Sequence, residues 1–404
     1  MLTLSRTLFS NMHRSGNAPV SRAQKLTPVP RIGILGGGQL AKMTATAATQ
    51  FGCEIYILER QHDFPAQSLD THALVGDWND AKWLLNLASL VDVVTLENEF
   101  VNTDALTELP QNGHRLWPTV DTIALVQDKL RQKHTFAGAG IPVPRCADAP
   151  TPEALVEFGF PAIAKQRRNS YDGKGNATLR SAFDVAPAWA KLEGHLNALY
   201  VEEFCSYTME LAVIITRGQD GAAACYPVVE TINRDHICHV VKAPAAIPAD
   251  VAAKATDIAL RAVEAIGGVG SYGVELFSMP DGRLLVNEIA PRVHNTGHYT
   301  IEACVCSQFE NHVRAVLGWP LGSPQMITPA ACMVNLLGYH MGSGVPHGLS
   351  DAMAVPGAHI HVYGKTRSER GRKMGHVTAL GQTIEEAYAC AQRAADCIQF
   401  GGEL

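Results

Sequence analysis

The feature that most constrains this chain is a pair of glutamates set on either side of a turn. Glu275 lies in Ser271-Tyr272-Gly273-Val274-Glu275-Leu276-Phe277 and Glu288 in Leu284-Leu285-Val286-Asn287-Glu288-Ile289, with Pro280-Asp281-Gly282 between them. Asp-Gly between apolar, alternating runs predicts a β-hairpin, and a two-residue turn at Asp281-Gly282 sets Pro280 opposite Arg283. Counting outward in that register, Glu275 faces Glu288 and Asn287 falls on the other face. Like charges directly opposite on a sheet repel, which points to a cation between them. Oxygen-only ligands with open positions suit magnesium bridging phosphates. A register shifted by one residue would instead turn the two acids to opposite sides of a solvated hairpin.

The chain has 404 residues, enough for two or three domains with buried cores. Hydrophobic residues make up 47% and charged residues 18%, a globular balance, and no apolar run approaches the ~20 residues needed to span a bilayer. No membrane association is expected. A formal charge of -6 argues against nucleic acid as a partner, because such proteins carry a basic face. The ten cysteines include no CxxC pair and read as reduced core thiols, which favours a cytoplasmic protein. Residues 1–30 stand apart: they hold Arg6, Arg14, Arg22, Lys25 and four serines but no acid, the first being Glu54. That composition fits an organellar transit peptide, for plastid or mitochondrion, or equally a disordered tail or a start codon set too early.

Regular structure begins at Arg31-Ile32-Gly33-Ile34-Leu35, a buried strand, followed by Gly36-Gly37-Gly38-Gln39-Leu40-Ala41 and a helix to Phe51. A second strand over residues 53–58 ends at Glu59. Read locally this is a dinucleotide fingerprint, G-x-G-x-x-A with an acid about 20 residues on, and it would make the chain an NAD-dependent oxidoreductase. The same turn also lets other ligands approach the backbone at a helix N-terminus. A third strand, residues 91–96, runs into Glu97-Asn98-Glu99 and completes a doubly wound unit ending near Trp117-Pro118. Residues 121–137 read as one helix carrying Lys129. Then Pro161-Ala162-Ile163-Ala164-Lys165 leads into Arg167-Arg168-Asn169-Ser170-Tyr171-Asp172-Gly173-Lys174-Gly175-Asn176, a cationic loop able to fold over phosphates or simply to close a hairpin. Backbone groups after Glu202 can hold an adenine edge, with Glu210 on a ribose. Pro291-Arg292-Val293-His294-Asn295-Thr296-Gly297-His298-Tyr299-Thr300 looks too polar and glycine-broken for core. The strand-rich end of the chain carries Lys365, Arg367, Arg370, Arg372 and Lys373 against one nearby acid, Glu369, and either binds a phosphomonoester or forms a solvated basic loop.

The order of these segments resembles the ATP-grasp superfamily. Asn287-Glu288-Ile289-Ala290-Pro291-Arg292-Val293-His294-Asn295-Thr296-Gly297-His298-Tyr299-Thr300, with Gly371-Arg372-Lys373-Met374-Gly375-His376, is similar to the N5-carboxyaminoimidazole ribonucleotide synthetase family in particular. The likeness runs from about residue 31 to the C-terminus. Formate-dependent glycinamide ribonucleotide transformylase is the alternative, but it has Asp where Asn295 stands and no His at 298. The resemblance implies mixed α/β and α+β architecture: an extension over 1–30, a doubly wound pre-ATP-grasp domain over 31–118, an ATP-grasp domain over 119–323 and a small C-terminal strand-rich domain over 324–404.

It also implies a ligase that consumes ATP with Mg2+ and joins bicarbonate to 5-aminoimidazole ribonucleotide through carboxyphosphate, in purine biosynthesis. A separate mutase would take the product onward, and the family is usually homodimeric. By the same analogy Glu275 and Glu288 hold the metal, with Asn287 beside them, while Lys129 and Lys165 neutralise phosphate. Ser170, Gly173, Gly175 and Asn176 close over the nucleotide, Glu202, Glu203, Phe204 and Cys205 take adenine, and Glu210 takes the ribose. Gln39, Leu40, Glu97 and Asn295 meet the aminoimidazole nucleotide, whose 5′-phosphate falls to Lys365 and Arg372. Tyr171, Asp172, Lys174, Arg292 and His294 lie at the reacting centre. The glycine turn thereby becomes part of a substrate site and not an NAD site. Two departures from the family pattern stand out: Asn169-Ser170 replaces a glycine pair, and Asn233 occupies a position where a nucleotide-contacting histidine is common. Asn tolerates left-handed backbone angles, so the loop is still expected to close.

Overall fold

The computed structural model describes residues 29–69, 71–169 and 175–402. Near-continuous burial along Arg31–Leu35 and Val93–Leu96 marks the centre of a four-stranded parallel sheet, in the order His72–Val75, Glu54–Glu59, Arg31–Leu35, Val93–Leu96. The helix Gln39–Gln50 starts directly at Gly38, and its small residues Ala41, Ala45 and Ala48 let it lie flat on Ile32, Ile34, Ile55 and Ile57. Val313, Val316 and Leu317 of a later helix, Gln308–Leu317, join the same cluster. One helix therefore ties the first domain to the second.

A second unit is a small antiparallel sheet in the order Cys146–Asp148, Leu199–Glu203, Ala162–Gln166, Asn176–Leu179. The third is a nine-stranded sheet. Its path runs Leu284–Ala290, Gly270–Ser278, Met209–Arg217, Val229–Arg234, Ile237–Ala243, Ala330–Leu337, Lys373–Gly381, Ala358–Val362, with Ala223–Cys225 on the side of Met209–Arg217. The glutamate hairpin is its edge, and the C-terminal region is not a detached module: Ala330–Leu337 pairs directly with Ile237–Ala243.

Three local expectations need correction. Residues 121–137 form two helices, Val120–Gln127 and Lys129–Gly138, because Asp128 leaves helical geometry to cap the second through Arg131 N–H at 3.1 Å. Lys129 thus opens a helix and does not sit inside one. The segment 291–300 is core: Thr296, His298 and Thr300 are at most 1% exposed. Gln308 serves its polar groups, accepting from His294 N–H and donating to His294 C=O. Third, the hairpin turn has three residues, Pro280, Asp281 and Gly282, with Met279 N–H donating to Arg283 C=O at 2.9 Å.

Candidate active site

That longer turn shifts the pairs nearest it by one, to Ser278 with Leu284 and Leu276 with Val286. A bulge at Asn287 takes up the extra residue, so Glu275 does face Glu288. The bulge also moves Asn287 out of the expected alternation. Its amide donates to Glu275 Oε2 at 3.4 Å, while its buried Oδ1 has no hydrogen-bond partner among the described residues. Burial, then the charge of Glu288, pushes the Glu275 carboxyl well above its usual range. Burial also works against ionised Glu288, but Lys129, with Nζ at 2.5 Å from Oε2, outweighs it and holds that carboxyl low. Two opposed carboxylates and an orphaned amide oxygen are an all-oxygen donor set, which fits a hard divalent cation such as magnesium. Among the described residues no cluster of three or more His, Cys, Asp or Glu side chains is placed to hold a metal, so phosphate oxygens would have to complete the shell.

Lys165 lies on Ala162–Gln166, opposite Tyr200 and Asn176. Its ammonium pairs with Glu202, and the buried Lys133 approaches the other oxygen of Glu202 at 3.3 Å. The Glu202 side chain is thus committed to the interior, leaving only backbone at that point for a ligand. Glu203, Phe204 and Cys205 line a cavity of about 340 Å³ with Ser206, Met279, Pro280, Asp281 and Arg283. Glu210 accepts from Asn233 Nδ2 and from Tyr207 OH, and the Tyr207 ring stacks on Phe277 with centroids 4.6 Å apart. Asn169 takes a φ of 60°, the left-handed backbone expected for it. Ser170, Tyr171, Asp172, Gly173 and Lys174 lie outside the described residues. Gly175 and Asn176 return the chain to the sheet.

The other half of the site converges on Glu97. Its side chain fills the space above Gly36 and Gly38, where any added Cβ would strike it. Burial raises its pKa, opposed by the charges of Arg292 and Lys365. These two cations come from distant parts of the chain, yet both act on the acid beneath the Gln39-Leu40 helix start. Glu59, the acid of the local dinucleotide pattern, is occupied: it accepts from Gly37 N–H at 2.8 Å. Arg292 grips Glu99 through two bonds of 2.5 and 3.2 Å. His294 lies across Gly273, whose missing side chain makes the room, with Nε2 at 3.7 Å from Glu275 Oε1. Burial and the Arg292 charge push its pKa down to about 3, so the ring is neutral. Asn295 exchanges two amide hydrogen bonds with Asn335, of 3.0 and 2.7 Å. Lys365 donates to Lys373 C=O at 2.7 Å, and Arg372 to Arg367 C=O at 2.9 Å.

Sequence reasoning overlooked Lys133, Glu99, Tyr207, Asn335 and Gln308. Lys133 had a signal, since it follows Lys129 by one helical turn on the same face. Glu99 stands two residues beyond Glu97 on the same strand exit. The other three owe their places to tertiary packing.

Three domains of this chain match family models that span this arrangement: an ATP-grasp domain over residues 134–309, a ribonucleotide synthetase preATP-grasp domain over 29–127, and a phosphoribosylaminoimidazole carboxylase C-terminal domain over 331–389. The fold is that of an ATP-grasp ligase. The N5-carboxyaminoimidazole ribonucleotide synthase of Synechococcus elongatus is 43% identical over 360 residues, 87% of this chain and 90% of that protein. The chloroplastic phosphoribosylaminoimidazole carboxylase of Vigna aconitifolia is 39% identical over 87% of this chain, which spans 64% of that longer relative. The crystal structure of an Aspergillus clavatus N5-carboxyaminoimidazole synthase with ADP and 5-aminoimidazole ribonucleotide superposes with a TM-score of 0.83 at 33% identity, over 91% of this chain and 98% of that one. The chain belongs to the N5-carboxyaminoimidazole ribonucleotide synthase family of ATP-grasp enzymes.

Proposed function

We propose that the site spanning Glu288 and Glu97 transfers the γ-phosphoryl group of ATP to bicarbonate and delivers the activated carboxyl group to the exocyclic amine of 5-aminoimidazole ribonucleotide. The overall reaction is ATP-dependent carboxylation of that nucleotide to N5-carboxyaminoimidazole ribonucleotide, a step of purine biosynthesis. One observation carries the assignment of the site. The opposed Glu275 and Glu288 are linked to Lys129, to His294 beside Glu275, and to Arg292, whose charge acts on both Glu288 and Glu97, with Lys365 acting on Glu97 as well.

When bound, magnesium would neutralise charge on the β- and γ-phosphates, held by Glu275 and Glu288 with Asn287 beside them. Lys129 and Lys165 neutralise what remains. The cavity beside Glu203, Phe204 and Cys205 takes the adenine, Glu210 and Asn233 take the ribose, and Ser170, Gly173, Gly175 and Asn176 cover the phosphates. Bicarbonate is a poor electrophile, and phosphorylation to carboxyphosphate makes its carbon open to attack. Arg292 and His294 orient that group, with Tyr171, Asp172 and Lys174 completing the centre. Gln39, Leu40, Glu97 and Asn295 hold the aminoimidazole nucleotide, and Lys365 and Arg372 its 5′-phosphate.

The proposal includes a homodimer and a separate mutase that consumes the product, both expected from the family. Among the described residues no helix is long and apolar enough to cross a membrane. We place the enzyme in the cytoplasm. Import into an organelle is the alternative that the acid-free residues 1–30 and the chloroplastic relative support, and N-terminal sequencing of the mature protein decides between them.

The direct test is ADP formation with ATP, magnesium and bicarbonate, with and without aminoimidazole ribonucleotide, followed by 13C from labelled bicarbonate. The expected result is nucleotide-stimulated turnover with the label in a carbamate. Turnover indifferent to aminoimidazole ribonucleotide but stimulated by formate and glycinamide ribonucleotide would overturn the reading.

A further inference from the structure

His294 is gripped from three directions. Its ring Nδ1 lies 2.9 Å from Thr296 Oγ1, its backbone N–H and C=O both bond Gln308, and its ring covers Gly273. Geometry alone does not say which partner of the Nδ1–Oγ1 pair supplies the proton. Burial does. Thr296 is 1% exposed, and among the described residues its hydroxyl has no other hydrogen-bond partner. Were Nδ1 protonated, the hydroxyl would accept and its own hydrogen would point into the interior unmatched, carrying the full desolvation penalty of a buried donor. With the hydroxyl donating to an unprotonated Nδ1, no hydrogen is stranded. The ring proton then resides on Nε2, the nitrogen that faces Glu275 Oε1 at 3.7 Å.

We propose that Thr296 is a positioning residue that holds His294 as the Nε2–H tautomer, so that the ring offers a neutral N–H donor, and not a base, to the carboxyl group being transferred. The inference rests on the assignment of His294 to the reacting centre. An N–H aimed at a carboxyphosphate oxygen stabilises charge as the amine attacks the carbon. As the new C–N bond forms, the bond from that carbon to the bridging oxygen breaks and its electron pair leaves with phosphate. The proton lost by the amine goes to that phosphate, which becomes hydrogen phosphate, so the step needs no histidine base.

Three variants and one spectrum test this. Thr296→Val keeps the shape and removes the donor; kcat for aminoimidazole-ribonucleotide-dependent ADP formation should fall about tenfold, with KM for ATP within about twofold of wild type. Thr296→Ser restores the hydroxyl and should return kcat to within about threefold of wild type. In 15N-histidine-labelled enzyme, the His294 signals, assigned by their loss in His294→Gln, should show the proton on Nε2 at neutral pH. A proton on Nδ1 in the wild type overturns the proposal, even if Thr296→Val fails to fold. So does a Thr296→Val enzyme with wild-type kcat when His294→Gln is impaired, or a Thr296→Ser enzyme as poor as the valine variant. A fully active His294→Gln enzyme would instead overturn the placement of His294 at the reacting centre, a failure of the site and not of the tautomer.

Discussion

At the scale of single residues, the site is a set of mutual constraints, and each can be broken separately. Glu288 faces Glu275 and holds Lys129 at 2.5 Å, so Glu288→Gln removes together one carboxylate of the candidate metal pair and the anchor of Lys129, the lysine proposed to neutralise phosphate. We expect magnesium-dependent turnover to be abolished with circular dichroism and melting unchanged; near wild-type turnover at low magnesium would count against a ligand role. Gly273→Ala places a methyl where the His294 ring lies. The ring must move, and misplacement by about 1 Å can cost ~100-fold, so kcat should drop between about tenfold and 100-fold while ATP affinity holds. Arg372→Met removes the charge-assisted contact proposed to the 5′-phosphate, worth about 1.5–3 kcal/mol. Titration with each substrate separately should show weaker aminoimidazole ribonucleotide binding and unchanged ATP binding; the reverse pattern would sink the assignment. Glu288 stood out in the sequence because an acid directly opposite another acid repels it unless a cation lies between them. Gly273 did not, since nothing in a strand of alternating residues says that a ring from another segment will lie across it.

At the scale of elements, the helix Lys129–Gly138 and the strands Leu199–Glu203 and Ala162–Gln166 meet at one buried carboxylate. Glu202 is 1% exposed and lies between Lys133, also 1%, and Lys165, 8%. Burial disfavours its charge, yet the two ammonium groups outweigh burial and keep it ionised. Glu202→Gln leaves two buried cations without their counter-charge, and unfolding free energy by urea titration should fall by about 3–5 kcal/mol. A change under about 1 kcal/mol would mean the lysines find other partners. The hairpin teaches a related lesson. Its key pairing was legible from the Asp-Gly turn, but by a count that erred twice: the turn is one residue longer, and the bulge at Asn287 absorbs the difference. Register is set by which side chains find partners, and a bulge that brings Asn287 to Glu275 is invisible to alternation.

Across the whole molecule, His312 joins the first two domains: its Nδ1 accepts from Ser271 N–H at 3.0 Å and its Nε2 meets Thr95 Oγ1 at 3.0 Å. Burial pushes its pKa down to about 4, so the unfolded chain binds this proton more readily than the folded one. Its contribution is fully present above about pH 6.5 and is lost as pH falls through 4, an expected loss of about 2–3 kcal/mol between pH 7 and pH 4.5. Urea titrations at both pH values should show a smaller acid loss in His312→Gln than in wild type; equal losses would place the acid sensitivity elsewhere. The order of segments along the chain was enough to recognise the family and to nominate charged residues for the candidate site, because opposed charges are rare and their spacing repeats with the chemistry. What only the tertiary structure decided was their company. Glu99 on Arg292, Lys133 on Glu202, Asn335 on Asn295 and the burial of Thr296 and His298 all join segments far apart in sequence. A polar group belongs in a core only when a partner meets it there, and that partner is supplied by the fold.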